Sequence, residues 1–457
     1  MIIPSRKQPF MSQRSAKVAL VSLGCPKNTV DSESILGQCV SRGMTLTSDA
    51  HDAEVIVVNT CGFLEEANQE SVRAILDAVA IKEEKPDTRV VVTGCLVSRY
   101  QGDLAGEIPE VDLWVGAGEG HRMGSLLQQV EAPNRRYFDD NTTLYQESDA
   151  PRVLSTRPHA AYLKIAEGCD NPCTFCIIPK LRGPFRSRQL DAIVAEARQL
   201  AAQGVQEITL VAQDTTLYGR DLTPRTSLAA LLDHLNAVDG LVWIRILYAY
   251  PTLVNDALIE AMKRLDKVVP YLDIPVQHVS DGVLRAMKRA ETGPRIDALF
   301  TRLRREIPGI ALRTSLIVGF PGESDEDFQA LLDFVEKHRP EHLSVFAYSR
   351  EEGTEAAQLP DQLPVEVRQA RRDQLEQVWQ AIREEQLQGL IGQTVEVLVD
   401  GVSEETDLLL EGRMSTQAPE VDGKVWINDG WAEPGSIVRV LVEDVAGFDV
   451  VGGIRQI

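Results

Sequence analysis

An α/β chain in three parts is predicted from three observations. Buried β-like runs alternate with amphipathic helical stretches between Lys17 and about Trp114. The same alternation resumes, with a longer count, from Ala161 onward. After about Gly389 it stops, and short strands follow one another across Gly, Asp and Asn turns with no helix between them. Alternation implies a parallel sheet covered by helices on both faces, and helix-free succession implies antiparallel pairing. The expected fold is therefore an N-terminal doubly wound parallel-sheet domain, a central partial (β/α)6 barrel and a C-terminal small antiparallel β-barrel. The expected boundaries are a flexible tail over 1–16, a first domain over 17–130, a linker over 131–154, a core over 155–386 and the barrel over 387–457.

The first domain reads as strands at KVALVSLGC, AEVIVVNTC, RVVVTGC and VDLWVG, separated by helical stretches such as DSESILGQCVSRG. In the core, six strands are expected at AYLKIAEG, EITLVAQ, VWIRILYAY, YLDIPVQ, IALRTSLIVG and HLSVFAYS. Six βα units in series favour an open partial barrel over a closed eight-stranded one. A long helix over roughly Pro364–Gln388 leads out. The last part shows five strands: TVEVLVDG, LLLEGRM, KVWIND, SIVRVLVEDV and FDVVGGI.

Composition narrows the function. The chain has 457 residues, 44% of them apolar, and a formal charge of −21. That balance argues against direct nucleic-acid binding, because affinity for the phosphate backbone comes largely from basic surface. The C-terminal part, from Gln388, carries 13 Asp and Glu against 4 Lys and Arg. No apolar run suits a membrane span. The N-terminal stretch carries Arg6, Lys7 and Arg14 without the hydrophobic segment of a signal peptide. A cytoplasmic location is expected, where clustered thiols more often bind metal than form disulfides.

The seven cysteines carry the strongest signal. Cys25, Cys61 and Cys95 each end a strand and precede a helix. Strand carboxyl ends in a parallel sheet share one edge, so the three can converge on a common ligand. Cys39 lies among Ile35, Leu36 and Val40 on a helix face and reads as core packing. Cys169, Cys173 and Cys176 stand in a loop, EGCDNPCTFC, with C-x3-C-x2-C spacing. Zinc would need a fourth ligand, for which His159 and His278 are the nearest donors, and a redox dithiol would leave Cys169 idle. An iron–sulfur cluster on three thiolates uses all three and leaves one iron open.

This loop, at the head of a βα series, resembles that of the radical S-adenosylmethionine enzymes. The wider plan of a three-cysteine first domain, a radical core and a terminal barrel resembles the methylthiotransferases, whose barrel is called TRAM. The resemblance implies two 4Fe–4S clusters. One, on Cys169, Cys173 and Cys176, binds S-adenosylmethionine and cleaves it reductively; these three cysteines are the catalytic set. The auxiliary one, on Cys25, Cys61 and Cys95, supplies or relays sulfur. The cofactor-binding candidates are Phe175 beside the last cysteine, Gln213 and Asp214 in VAQDTTLYG, Arg245, and Gly319 in SLIVGFPGE. Asp214 could equally cap a helix, and Gly319 could serve a tight turn alone. His278 in PVQHVSD is a candidate substrate contact.

Within the family, SLGCPKNTVDSE, VAQDTTLYGRDL, DIPVQHVSDGVL and FAYSREEGT resemble the branch that adds a methylthio group to the β-carbon of an aspartate in protein twelve of the small ribosomal subunit. The alternative is the branch that modifies an adenosine of transfer RNA. An acidic barrel suits a basic ribosomal protein better than phosphate. A reductant and a sulfur donor are the other partners implied.

Overall fold

The computed structural model describes residues 16–128, 135–138 and 151–455. The expected tail over 1–16 lies almost wholly outside these residues, and so does most of the expected linker over 131–154. The chain divides into two compact units. The first holds the described part of Met1–Ser155 together with Glu167–Asp170 and Ile177–Arg186. The second holds Thr156–Ala166, Asn171–Cys176 and Ser187–Ile457.

The first unit is built on a six-stranded parallel sheet. Its spatial order is Thr45–Leu46, Lys17–Ser22, Val55–Thr60, Arg89–Gly94, Leu113–Gly116 and Arg135–Tyr137. The central strands are near-continuous valine because both faces are covered. Ile56, Val58, Val90, Val92 and Trp114 pack on one side, while Val55, Val57, Val91, Leu113 and Val115 pack on the other. Cys39 is buried in this second core. Two edge strands escaped the sequence reading. Thr45–Leu46 has only two residues, both exposed, and Arg135–Tyr137 is polar, so neither shows an apolar run. Arg135–Tyr137 falls inside the stretch that reads as linker. Nearby, Arg152 pairs with Glu33, which also accepts from the Ser155 amide at 2.8 Å.

All six strands expected in the core are present, as Ala160–Lys164, Glu207–Val211, Trp243–Ile246, Val268–Asp273, Ala311–Val318 and His342–Ala347. They pair in sequence order, all parallel, and the sheet stays open. Helices lie between them; Asp325–His338 starts with a capping box of Ser324 and Asp327. The helix Val365–Gln388 then leads to the last domain.

That domain is a closed five-stranded barrel of Thr394–Val402, Leu410–Met414, Val425–Asp429, Asp449–Ile454 and Ile437–Ala446, in that order around the ring. It departs from the expected all-antiparallel pairing at one seam, where Val425–Asp429 and Asp449–Ile454 run parallel. Parity requires this. Strand direction cannot alternate around a ring of five, so at least one neighbouring pair must be parallel. Among the described residues no helix is long and apolar enough to cross a membrane.

Candidate functional site

The dispersed cysteines are gathered by the sheet of the first unit. Cys25 caps the helix Pro26–Ser41, Cys61 follows Val55–Thr60, and Cys95 opens the helix Cys95–Glu107. The three thiols lie close enough that Cys25 and Cys61 both push the Cys95 thiol upward. Burial is the larger cause and, together with them, holds Cys95 at about 11. Cys61 is raised as well, first by burial. Glycines keep the approach narrow. A Cβ on Gly24 would sit 2.9 Å from Cys61 Cβ, and one on Gly62 would sit 2.7 Å from the Cys95 carbonyl carbon. Gly94, with φ of +103°, brings Cys95 past Thr60, whose carbonyl oxygen would lie 2.4 Å from an added Cβ. Asn28 ties the loops together, donating to the Leu23 carbonyl at 2.9 Å and to that of Thr60 at 3.0 Å.

Within the contiguous loop, the ends pack with the first unit. The Cys169 amide donates to Gly183 at 3.2 Å, and the Phe185 amide to Asp170 at 2.9 Å. Gly168, with φ of +78°, leaves no room for a side chain, since an added Cβ would lie 2.0 Å from the Pro184 carbonyl oxygen. The middle of the loop belongs to the second unit. The Cys176 amide donates to the Cys173 carbonyl, and Thr174 donates to Met287 through its amide and to Ala286 through its hydroxyl. Arg289 approaches Cys173 Sγ at 4.0 Å. Burial raises the Cys173 thiol and Arg289 opposes it.

All seven cysteines lie outside disulfides. Among the described residues, no group of three His, Cys, Asp or Glu is set to hold one metal ion. In a 4Fe–4S cluster each thiolate binds a different iron, so its ligands stand apart from one another. The two histidines named for a zinc site each engage one ring nitrogen elsewhere. His159 Nε2 bonds Asp400 at 2.9 Å, and His278 is fully buried, its Nδ1 accepting from the Ser280 amide at 3.0 Å.

The other candidates scatter. Asp214 caps the short turn Thr215–Leu217, so the plain capping role is realised; it also accepts from Asn171 of the cysteine loop at 2.9 Å. Burial raises its carboxyl despite these bonds. Gln213 is half-buried beside it. Phe175 packs against Val283, Met287, Phe320 and Tyr348. Gly319, with φ of +71°, presses against Arg368, whose Cγ would lie 2.3 Å from an added Cβ, and a packing reason for glycine is therefore present. His278 faces Glu323 at 3.4 Å inside the core. Arg245 is fully buried. Its guanidinium bonds Glu207 at 2.9 Å and the Ser415 carbonyl at 2.7 Å, and stacks over Tyr271.

That last network shows what the barrel does for the core. The segment Ser415–Asp422 enters the end of the open sheet where its strands begin. Tyr162 donates to Pro419 and Glu420, and His342 bonds the Thr416 carbonyl at 2.7 Å. Asp422 accepts from Tyr271 at 2.8 Å and Arg313 at 2.7 Å. Beside it, Arg413 bridges Glu207 and Asp400. Despite burial, Arg413 and His159 hold Asp400 down at about 2. These pairs qualify the charge argument. Asp400, Glu411 and Asp422 are buried and matched, whereas Glu396, Glu404, Glu405, Asp407 and Glu433 remain exposed.

Sequence reasoning missed Asn171 and Arg289. Together with Arg220, Tyr250, Arg285 and Lys288 they line a cavity of about 400 Å³ beside the loop. The cations in AMKRAETG were the available signal. Lys288 in this lining has a positive φ of 54°.

Comparison with known proteins agrees with this layout. Family profiles match residues 17–116 (uncharacterized protein family UPF0004), 163–335 (radical SAM superfamily) and 391–454 (TRAM domain). A curated relative from Geobacter sulfurreducens is 49% identical over 97% of this chain and 100% of its own length. One from Anaeromyxobacter sp. (strain K) is 51% identical over 96% and 93%. Both carry the name ribosomal protein uS12 methylthiotransferase RimO. The solved radical S-adenosylmethionine methyltransferase TsrM from Kitasatospora setae shares the fold, with a TM-score of 0.55 and 16% identity over 73% of each chain.

Proposed function

The chain belongs to the RimO family of radical S-adenosylmethionine methylthiotransferases, and from that premise we propose that it adds a methylthio group to the β-carbon of an aspartate in ribosomal protein uS12. The observation that carries the reading is near-full-length identity of about one half to relatives of that name, across all three domains.

In this reading Cys169, Cys173 and Cys176 hold a 4Fe–4S cluster beside S-adenosylmethionine, and Cys25, Cys61 and Cys95 hold a second. The bound groups supply the radical chemistry needed at an unactivated carbon, and the protein supplies binding, orientation and exclusion of water. Arg289 compensates charge at Cys173, and Asn171 and Asp214 brace the loop between Cys169 and Cys173. Phe175 and Gln213 face the cofactor. The segment Ser415–Asp422 keeps water from the strand-start end of the core. The exposed acids of the barrel receive the basic ribosomal protein, since complementary potentials favour encounter and orientation. A one-electron reductant and a sulfur donor complete the partner set.

Mass spectrometry of uS12 and of transfer RNA, from cells lacking this gene and from complemented cells, tests the reading. The expected result is loss of methylthiolated uS12 alone. Loss of methylthioadenosine with uS12 still modified would overturn it.

A further inference from the structure

The helix Ile178–Arg182 follows the contiguous cysteine loop in sequence and packs in the first unit, where its last residue reaches the dispersed trio. The Arg182 side chain is only 3% exposed. Its Nε donates to Cys95 Sγ at 3.1 Å. Its Nη1 pairs with Asp31 at 2.7 Å and Glu167 at 3.1 Å, and its Nη2 bonds Asn28. Asn28 is the residue that ties the Cys25 and Cys61 loops, so one guanidinium braces all three cysteine-bearing turns.

Burying a guanidinium costs several kcal/mol unless its partners are well placed. Asp31 and Glu167 already match its charge. The Nε–H on sulfur is a further bond, and it falls on one of the three thiols assigned above to the auxiliary cluster. Partners beyond the ligands fix ligand orientation, and hydrogen bonds to cluster sulfurs tune the reduction potential.

We propose that Arg182 is a positioning residue for the dispersed trio, holding Cys95 in place and raising the reduction potential of the cluster it ligates. The N–H···S bond draws electron density from the thiolate, which favours the more negative, reduced state. The inference rests on the reading of Cys25, Cys61 and Cys95 as cluster ligands, and the test separates the two.

The test uses the full chain with Cys169→Ala, Cys173→Ala and Cys176→Ala, reconstituted anaerobically with iron and sulfide. About four irons per chain are expected from one 4Fe–4S cluster; their absence would defeat the ligand reading itself. Arg182→Gln and Arg182→Lys are then added separately, and midpoint potentials are read by EPR-monitored titration. Arg182→Gln should shift the midpoint to a more negative value, and Arg182→Lys should keep it much closer to that of the parent. An unchanged midpoint in an Arg182→Gln protein that keeps its iron would overturn the proposal. So would equal shifts in both variants. If Arg182→Gln holds no iron, isotopically labelled arginine in the parent decides by pulsed EPR. A nitrogen coupling to the reduced cluster supports the proposal, and its absence overturns it.

Discussion

The two cysteine trios are assembled by opposite routes. Cys169, Cys173 and Cys176 are neighbours on one loop, and local turns set their spacing. Cys25, Cys61 and Cys95 stand 36 and 34 residues apart and meet only because three parallel strands end at the same edge. A contiguous trio depends on a few backbone bonds near it, such as Thr174 to Met287. A dispersed trio depends on the whole sheet and on glycines that let its loops approach. The second arrangement is the easier one to break from a distance.

The largest contrast should come from the ligands themselves. Cys173→Ala should take deoxyadenosine formation to background and reduce reconstituted iron from about eight to about four per chain. Chromatographic assay of deoxyadenosine decides this, and intact cleavage would sink the assignment. Cys61→Ala should lose a similar amount of iron yet still form deoxyadenosine, with methylthiolated peptide absent by mass spectrometry. If it formed product, the two trios would not divide the chemistry as described.

Gly94→Ala sharpens the comparison without touching a thiol. A Cβ there meets the Thr60 carbonyl at 2.4 Å in a backbone region that disfavours side chains, at a cost of about 1–3 kcal/mol or more. Iron analysis should show the dispersed trio partly empty, while deoxyadenosine formation stays near wild type.

Asp400→Asn, away from both trios, should have the smallest effect on chemistry. It removes partners of Arg413 and His159 and should destabilise the second unit by roughly 3 kcal/mol, read by thermal or denaturant unfolding. The pH dependence has a definite sign. Asp400 is held near 2 in the folded chain against an ordinary 3.8. It therefore contributes about 2 kcal/mol above pH 4, and that contribution is lost as pH falls through about 2. Glu207 and Asp422, both lowered, add in the same direction. The variant should flatten the acid limb of the stability curve; an unchanged limb would show that the Asp400 pairs carry no net stability.

Much of the fold was legible because its signals are local. The valine runs declare a parallel sheet, the strand-end cysteines mark one of its edges, and the C-x3-C-x2-C loop sets three thiols close together. The edge strands Thr45–Leu46 and Arg135–Tyr137 were not legible, since polar edges bury nothing and leave no pattern. Arg245 and His278 stand out in the sequence by their strand positions, but their partners do not: Arg245 is held by Glu207 and Ser415, and His278 lies beside Glu323 and Ser280.

By itself, the sequence determined the class of the chain, its three-part order and the strand-end and loop positions of six cysteines, because periodicity and short-range spacing are properties of the chain. Tertiary structure alone decided which charges are spent inside. Three of the acids that made the barrel look acidic are matched to Arg157, Arg313, Arg413 and their neighbours. It also placed Arg182 on Cys95, 87 residues away in sequence. Contacts of that range follow from how layers pack, and no pattern in the chain announces them.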